Sequence, residues 1–227
     1  MRIGVLGTGM VGKAVAARLA GLDHEVLVGT RDPAVTLARE EPDRYGNPPF
    51  RGWLEQHPDV KLGSFADAAV HGELLVNATA GEASLDALRL AGEANLAGKV
   101  LVDIANALDY SQGMPPTPLV GTADSLGERI QRAFPAARVV KALNTMSAPL
   151  MVDPAQLAGG DHSVFVCGDD PDAKALVTGL LTDGFGWRDV IDLGDITTAR
   201  GPELLLPLWL RLWGTLQAPM FNFKVVR

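Results

Sequence analysis

Short apolar segments alternate with helix-like segments over nearly the whole chain, and this alternation constrains the fold more than any other feature. The apolar segments lie at residues 2–7, 24–30, 60–63, 73–79, 99–105, 138–144, 163–168 and 187–194. Several are apolar at consecutive positions, which is typical of strands covered on both faces. Strands that alternate with helices predict a doubly wound, mostly parallel α/β sheet, because parallel neighbours need a crossover connection.

The intervening segments predict helices at residues 10–21, 33–40, 65–71, 83–94, 122–133 and 171–184. Two regions interrupt the alternation. Residues 41–59, rich in proline, glycine and asparagine, are predicted to form a surface loop with one helical turn. The final region is apolar on nearly every side of a helix, so it is buried by its own fold or by a partner. We therefore expect one α/β domain over residues 1–194 and a small helical lobe over residues 195–227 packed on it.

Charge and cysteine content exclude several functions. A net charge of −7 argues against nucleic acid or an anionic membrane surface as the main partner. Residues 204–216, the most apolar late stretch, are too few to span a bilayer and include Arg211. The single cysteine, Cys167, excludes an intrachain disulfide and a cysteine-clustered metal site. We expect a cytoplasmic protein without a metal centre.

A glycine-rich turn follows the first predicted strand, with Gly7, Gly9 and Gly12 in GxGxxG spacing. Gly7 permits a tight turn, Gly9 lets backbone amides approach a pyrophosphate, and Gly12 lets the helix lie close to the strand. Amides near Met10 and Val11, at the start of that helix, would add partial positive charge. The turn predicts dinucleotide binding; the alternative is a purely structural turn.

The end of the second strand indicates which dinucleotide binds. Asp32 lies about twenty residues after Gly12, the usual spacing of an acid that binds the adenosine ribose of NAD. However, Asp32 precedes Pro33, and Asp–Pro is typical of a helix start at which the aspartate is the cap. Thr30 and Arg31 then face the ribose, where they suit a 2′-phosphate. This predicts NADP; the alternative is an arginine solvated on a loop.

Small and amide residues follow the fourth, fifth and sixth strands, where the nicotinamide of a bound dinucleotide would lie. They would allow close approach to the ring, although each could equally form an ordinary turn at a strand end. These candidate residues are Ala78, Thr79 and Ala80, then Ile104 and Ala105, then Asn144, Thr145 and Met146.

The sequence contains no evident proton-transfer pair, and we expect no catalytic residue in the strict sense. Hydride exchange between two redox cofactors mainly requires stacking and distance. Lys141 lies in an otherwise apolar strand and is predicted to pair with a carboxylate such as Asp103, or alternatively to neutralise a cofactor group. Structural roles are predicted for His24, His57, His71 and His162.

A family resemblance rests on the segments "GTGMVGKAVAARL", "VGTRDP", "VVKALNTMSA", "SVFVCGDDPDAKALV" and "VIDLGDITTAR". Through them the chain resembles the NADPH-dependent reductases of the deazaflavin coenzyme F420, which are related to the cytosolic domain of STEAP-type metalloreductases. The resemblance implies a Rossmann-like domain, a C-terminal lobe that completes the pocket, and a homodimer. The lobe's Trp209 and Trp213 would anchor the dimer, or alternatively pack within the chain. Phe221 and Phe223 would line the acceptor pocket or simply pack.

The resemblance also assigns positions. Thr8, Thr30 and Arg31 match the residues that hold the pyrophosphate and the 2′-phosphate in the deazaflavin reductases. The segment beside the nicotinamide and the hydride acceptor matches Ala142, Asn144, Thr145 and Met146. Two departures stand out: an archaeal phosphate-binding lysine is replaced near Val35, and Asn144 stands where the archaeal reductases carry a histidine. The metalloreductase branch also carries asparagine there.

The expected function is hydride transfer between NADP(H) and a deazaflavin (coenzyme F420) or flavin acceptor. Two alternatives remain. One is a redox sensor or partner subunit that binds NADP without turnover. The other is a reductase of a small carbonyl or imine substrate, for which Lys141 is the available proton donor.

Overall fold

An eight-stranded sheet organises the computed structural model, which describes residues 1–42, 46, 48–109, 111, 113 and 116–227. A separate antiparallel pair, over Leu108–Asp109 and Thr117–Pro118, is absent from the sequence prediction. In chain order the strands are β1 (Arg2–Leu6), β2 (Glu25–Thr30), β3 (Val60–Ser64), β4 (Leu74–Asn77), β5 (Val100–Asp103), β6 (Leu108–Asp109), β7 (Thr117–Pro118), β8 (Arg138–Ala142), β9 (Ser163–Cys167) and β10 (Asp189–Asp192). Each of the predicted strands of the large sheet is confirmed.

The large sheet has the strand order β10-β9-β8-β5-β4-β1-β2-β3. The six strands from β8 to β3 are mutually parallel, while β9 is antiparallel to β8 and parallel to β10. The chain passes from β3 at one edge to β4 on the far side of β1. This change of direction opens a crevice beyond the carboxyl ends of β1 and β4, where open α/β sheets bind ligands.

The helices lie in the predicted places, mostly with shorter ends, except for a short helix over Ala148–Val152 that the sequence did not predict. They are α1 (Met10–Ala20), α2 (Pro33–Ala38), α3 (Phe50–Glu55), α4 (Phe65–His71), α5 (Ser84–Ala91), α6 (Glu93–Leu96), α7 (Leu126–Ala133), α8 (Ala148–Val152), α9 (Pro171–Gly179) and α10 (Arg200–Leu216). The helix predicted over 83–94 divides at Gly92, whose φ is 92°. The one predicted over 122–133 begins only after Ser125, whose side chain caps it. The helical turn predicted within 41–59 is α3, and residues 43–45 and 47 lie outside the described residues.

Apolar side chains cover both faces of the sheet, which explains the consecutive apolar residues in its strands. One face packs against α1, α8 and α9, together with the buried Trp187. The other face packs against α4, α5 and α7. In the described part of the chain, no helix has both the length and the apolarity needed to cross a bilayer.

The C-terminal region begins as a helix and ends as an extended segment. The lobe predicted over 195–227 is helical only as far as Leu216, the end of α10. The helix ends there because Gln217 adopts a left-handed conformation with φ of 52°. The segment that follows returns to the start of β9. There Ser163 donates its backbone N–H to the carbonyl of Phe223 over 2.9 Å, and its hydroxyl accepts from the amide of Val225 at 2.9 Å. Because β9 is antiparallel, this contact lies at the edge where β8 ends.

Candidate functional site

The glycine turn between β1 and α1 has the geometry that the sequence predicts. Gly7 has φ of 119°, a conformation that favours glycine, and its amide bonds to the carbonyl of Gly29 at 2.9 Å. A Cβ on Gly12 would lie 2.0 Å from the carbonyl oxygen of Gly7, so only glycine allows α1 to approach this closely. No side chain caps α1, and the space around the α-carbon of Gly9 is open. The first amides of α1 are therefore available to a ligand.

A cleft of about 620 Å³ opens beside this turn, at the carboxyl ends of β1, β2 and β4. It brings together three groups of predicted site residues: residues 7–9 from the turn, Thr30 and Arg31 from the end of β2, and residues 78–80 from the end of β4. Segments far apart in sequence thus form one concave surface at the predicted position. Met10, Val11 and Gly12 continue from the turn as the first residues of α1.

The end of β2 and the helix after it supply two hydroxyls and two guanidinium groups to the cleft. Thr30 is buried, and its Oγ1 lies 2.8 Å from Oγ1 of Thr36 on α2. Arg31 and Arg39 are exposed and also line the cleft. Thr36 and Arg39 are additional lining residues that the sequence pattern did not predict. Helical periodicity could have identified Arg39, because it follows Val35 by one turn and so shares its side of the helix.

Asp32 caps α2, as predicted. Its Oδ1 accepts a hydrogen bond from the amide of Val35 at 3.0 Å, and Pro33 occupies the first turn. The carboxylate lines the cleft, but one of its oxygens is committed to the helix. This geometry accounts for Asp32 without a ribose ligand.

A buried polar network joins the ends of β4 and β5. Asn77 donates from Nδ2 to Oδ1 of Asp103 at 2.8 Å and to Oγ of Ser84 at 3.0 Å. Thr79 donates its hydroxyl to Oδ1 of Asn77 at 2.7 Å. Asn77, Ser84 and Asp103 have no exposed surface, whereas Thr79 lines the cleft. The network therefore connects the protein interior to the candidate site.

Lys141 lies at the centre of the same buried region and pairs with two carboxylates. Its Nζ is 2.9 Å from Oδ2 of Asp103, as predicted, and 2.9 Å from Oε1 of Glu203 on α10, which the sequence did not reveal. A third bond of 2.5 Å reaches the carbonyl of Ala105. Burial alone would lower the pKa of Lys141, but the two carboxylates hold it above its usual value. Burial raises the pKa of Asp103, against the pull of Lys141.

The residues predicted beside the nicotinamide lie at the adjoining strand ends but are largely covered. Asn106 donates from Nδ2 to the carbonyl of Asn144 at 2.8 Å, and Asn144 donates from Nδ2 to Oδ1 of Asn106 at 3.0 Å. Leu143, which directly precedes Asn144, has a left-handed φ of 61°. Exposure is at most 5% for Ile104, Ala105, Ala142, Asn144, Thr145 and Met146. None of these six lines the cleft, so their contact with a ligand stays a prediction.

Each histidine has a local partner, and none lines the cleft. His24 lies 3.3 Å from the N-terminal ammonium, and His57 stacks on Trp53. His71 bonds to a backbone carbonyl of β2, and the buried His162 bonds to the carbonyl of Pro154 at 3.0 Å. The described residues contain no cluster of three or more His, Cys, Asp or Glu side chains that could hold a metal ion.

Comparison with known proteins gives a consistent result. Residues 2–107 match the family described as NADP oxidoreductase, coenzyme F420-dependent. The F420-dependent NADP reductase of Methanothermobacter marburgensis is 30% identical over 221 residues, covering 93% of this chain and 92% of the relative. The metalloreductase STEAP3 of Rattus norvegicus is 29% identical over 92% of this chain, but the chain spans only 38% of that protein's length.

Solved structures extend the comparison. A crystal structure from Arthrobacter sp. FB24, of a protein assigned as an F420-dependent NADP-reductase, is 62% identical with a TM-score of 0.96, covering 100% of both chains. An imine reductase of Streptomyces aurantiacus has a TM-score of 0.63 at 18% identity, covering 96% of this chain and 63% of the enzyme. At that identity the second likeness concerns the fold alone.

Proposed function

The chain belongs to the family of coenzyme F420-dependent NADP oxidoreductases, and from this premise we propose that it transfers a hydride between NADP(H) and a deazaflavin or flavin acceptor. The observation that carries the proposal is the cleft in which the glycine turn faces Thr30, Arg31 and Arg39. Of the two acceptor classes we favour the deazaflavin, because a relative of 62% identity over the whole chain is assigned to it.

The cleft suits the adenosine and phosphate half of NADP(H). The open backbone at residues 7–9 and the uncapped start of α1 would bind the pyrophosphate. The hydroxyls of Thr30 and Thr36 and the guanidinium groups of Arg31 and Arg39 would bind the 2′-phosphate, since arginine forms paired, charge-assisted bonds with phosphate. Arg39 would supply the cation that Val35 lacks. We infer that this end of the cleft selects NADP over NAD.

The nicotinamide would lie further along the sheet edge, beside the ends of β4, β5 and β8. Bound NADP(H) supplies the hydride chemistry, and the protein's task is to position the ring. The reciprocal bonds between Asn106 and Asn144 fix two of these strand ends against each other. Leu143 holds a backbone conformation that costs roughly 1 kcal/mol or more and persists only when its surroundings impose it. The segment that follows it is therefore rigidly placed.

The acceptor would lie between this segment and the C-terminal region. Ser147 and Met220 approach to 3.9 Å between Oγ and Sδ, so the extended tail runs beside the end of β8. The rings of Trp209 and Phe221 stack with centroids 5.1 Å apart. Asn222 contacts His162 at 2.8 Å and anchors the tail to the sheet. These contacts support a tail that forms one wall of the acceptor pocket.

A carbonyl or imine reductase would need a proton donor that faces the cleft, and Lys141 does not meet this requirement. Lys141 is fully buried and bonded to three oxygen atoms, so it does not face the cleft. The other alternative, an NADP-binding sensor without turnover, differs from the proposal only in the acceptor reaction.

We also propose that the protein is a cytoplasmic homodimer that associates through α10. Leu208, Trp213 and Leu216 on this helix are 50%, 36% and 55% exposed, a large apolar area for a free surface. Trp209 is partly covered by Phe221 and so contributes less. Light scattering after gel filtration should give twice the chain mass of 24.0 kDa. Replacing Trp213 and Leu216 with glutamate should give the single chain mass.

The deciding experiment mixes the purified protein with NADPH and, under anaerobic conditions, with oxidised coenzyme F420, FMN or FAD in separate reactions. Loss of the acceptor's visible absorbance with F420 supports the proposal, and loss with a flavin alone selects the flavin. NADH serves as the control donor and should react far more slowly. If the protein binds NADPH in calorimetry but reduces none of these acceptors, the sensor alternative replaces the proposal.

A further inference from the structure

We propose that Thr79 is a specificity-determining residue that accepts a hydrogen bond from a hydroxyl or amino group of the bound dinucleotide and rejects phosphate oxygens. Asn77 is the positioning residue that imposes this polarity. The inference rests on the proposed placement of NADP(H) in the cleft that Thr79 lines.

The orientation of the Asn77 amide is set by its buried neighbours. Oδ1 of Asp103 lies 2.8 Å from Asn77 and requires a donor there, so Nδ2 of the amide must point toward it. The same nitrogen reaches Oγ of Ser84 at 3.0 Å. Lys141 holds the other oxygen of Asp103 at 2.9 Å. The amide oxygen of Asn77 is thereby turned toward Thr79, because the reverse orientation would place two acceptors against each other.

This orientation assigns the hydroxyl proton of Thr79. Its Oγ1 lies 2.7 Å from Oδ1 of Asn77, an atom that can only accept, so Thr79 donates its proton there. Ser84 lies 2.9 Å from the same hydroxyl and 3.3 Å from the carbonyl of Ala80, and its own proton goes to one of them. At most one lone pair of Thr79 is then occupied by Ser84. The other lone pair of the Thr79 hydroxyl is available to a ligand in the cleft, whereas its proton is not.

A hydroxyl that can accept a hydrogen bond but has no proton left to donate recognises a limited set of ligand groups. Ribose hydroxyls, the nicotinamide carboxamide and the adenine amino group all carry a proton to donate. Pyrophosphate oxygens carry none near neutral pH, and the 2′-phosphate is mostly deprotonated. A phosphate beside Thr79 would therefore face an unpaired acceptor, which is costly when it is partly buried. Thr79 therefore complements Arg31 at the end of β2: Arg31 attracts phosphate, while Thr79 directs an O–H or N–H group to the end of β4.

The test compares Thr79→Val, which is similar in shape but lacks the hydroxyl, with Thr79→Ser, which retains it. Calorimetry measures binding of NADP⁺ and of adenosine 2′,5′-bisphosphate, which lacks the nicotinamide half, at several salt concentrations. We expect Thr79→Val to weaken NADP⁺ binding about 3- to 10-fold, the effect of one net hydrogen bond, and Thr79→Ser to bind normally. A loss with NADP⁺ alone places the donor on the nicotinamide half, and a loss with both ligands places it on the adenosine half.

Two results would overturn the inference: native affinity of Thr79→Val for both ligands, or a loss accompanied by a weaker salt dependence, which would indicate a phosphate contact. Arg31→Ala is the reference variant. If it too leaves NADP⁺ affinity unchanged, the proposed placement of the cofactor fails. If Arg31→Ala weakens binding and Thr79→Val does not, only the role of Thr79 fails. Thermal unfolding of each variant verifies that it is folded.

Discussion

Lys141 of β8 and Glu203 of α10 form a buried ion pair with 2.9 Å between Nζ and Oε1. Glu203 also accepts the backbone amides of Leu126 and Gly127 at 2.7 and 3.0 Å, and thus caps α7 from another helix. One carboxylate consequently joins the sheet, α7 and the C-terminal helix. Because Lys141 also pairs with Asp103, the arrangement extends to the strand ends beside the candidate site.

Replacing Lys141 with methionine should destabilise the fold strongly. The change would leave the carboxylates of Asp103 and Glu203 buried without their shared cation, and breaking a buried pair in this way costs about 3–5 kcal/mol. Chemical denaturation should show a free energy of unfolding lower by that amount. Arg89→Ala, which breaks an exposed pair with Asp86, is the control and should cost under about 1 kcal/mol. Native stability of Lys141→Met would contradict the structural role.

Arg31 and Arg39 should determine the preference for NADP. Hydrogen bonds to charged groups contribute about 1.5–3 kcal/mol, so Arg31→Ala should weaken NADP⁺ binding about 10- to 100-fold. Arg39→Ala should weaken NADP⁺ binding in the same direction, because its guanidinium lines the same end of the cleft. NAD⁺ affinity should change little in either variant. Calorimetry with both dinucleotides measures this.

The matched control for these two variants is Arg132→Ala, an exposed arginine on α7 that pairs with Asp124 outside the cleft. It should leave both affinities unchanged. Equal affinity for NAD⁺ and NADP⁺ in the native protein, unaffected by Arg31→Ala, would show that this end of the cleft does not bind the 2′-phosphate.

Asp32→Asn should separate the two interpretations of Asp32. Asparagine is an equally good helix cap, so α2 should keep its stability, whereas Asp32→Ala should lose about 1 kcal/mol. Removing the negative charge from a cleft that holds phosphate should leave NADP⁺ binding unchanged or stronger. Binding assays with NAD⁺ complete the test, because a ribose-binding carboxylate would make Asp32→Asn weaken NAD⁺ binding instead.

Much of the fold was predictable because its signals are local. Runs of consecutive apolar residues identified the strands of the large sheet, and the Asp32–Pro33 pair identified the start of α2. The spacing of Gly7, Gly9 and Gly12 identified the turn, because steric limits on the backbone at Gly7 and Gly12 leave few other residues there.

Features that depend on tertiary contacts were not predictable. The direction of β9 follows from the connection over residues 143–162, which holds only α8 and two short helical turns at one edge of the sheet, so the chain re-enters from that edge. The partnership of Lys141 with Glu203 joins residues far apart in sequence, and α10 had shown only an apolar pattern. Arg39 lies on an exposed helix end, where arginine is usually solvated, and only the folded cleft gives it a role.

Cys167 of β9 pairs in the sheet with Lys141 of β8, so its reactivity should report whether the buried region around Lys141 is intact. Burial raises the pKa of its thiol to about 11, so at pH 8 only about one molecule in a thousand carries the reactive thiolate. As the chain's single cysteine, it should react with a thiol reagent such as DTNB only when the sheet opens, and stoichiometrically in denaturant. Saturating NADP⁺ should slow labelling because it stabilises the native state, and Lys141→Met should accelerate it. Rapid labelling of the folded native protein, unaffected by NADP⁺, would contradict the burial of this thiol.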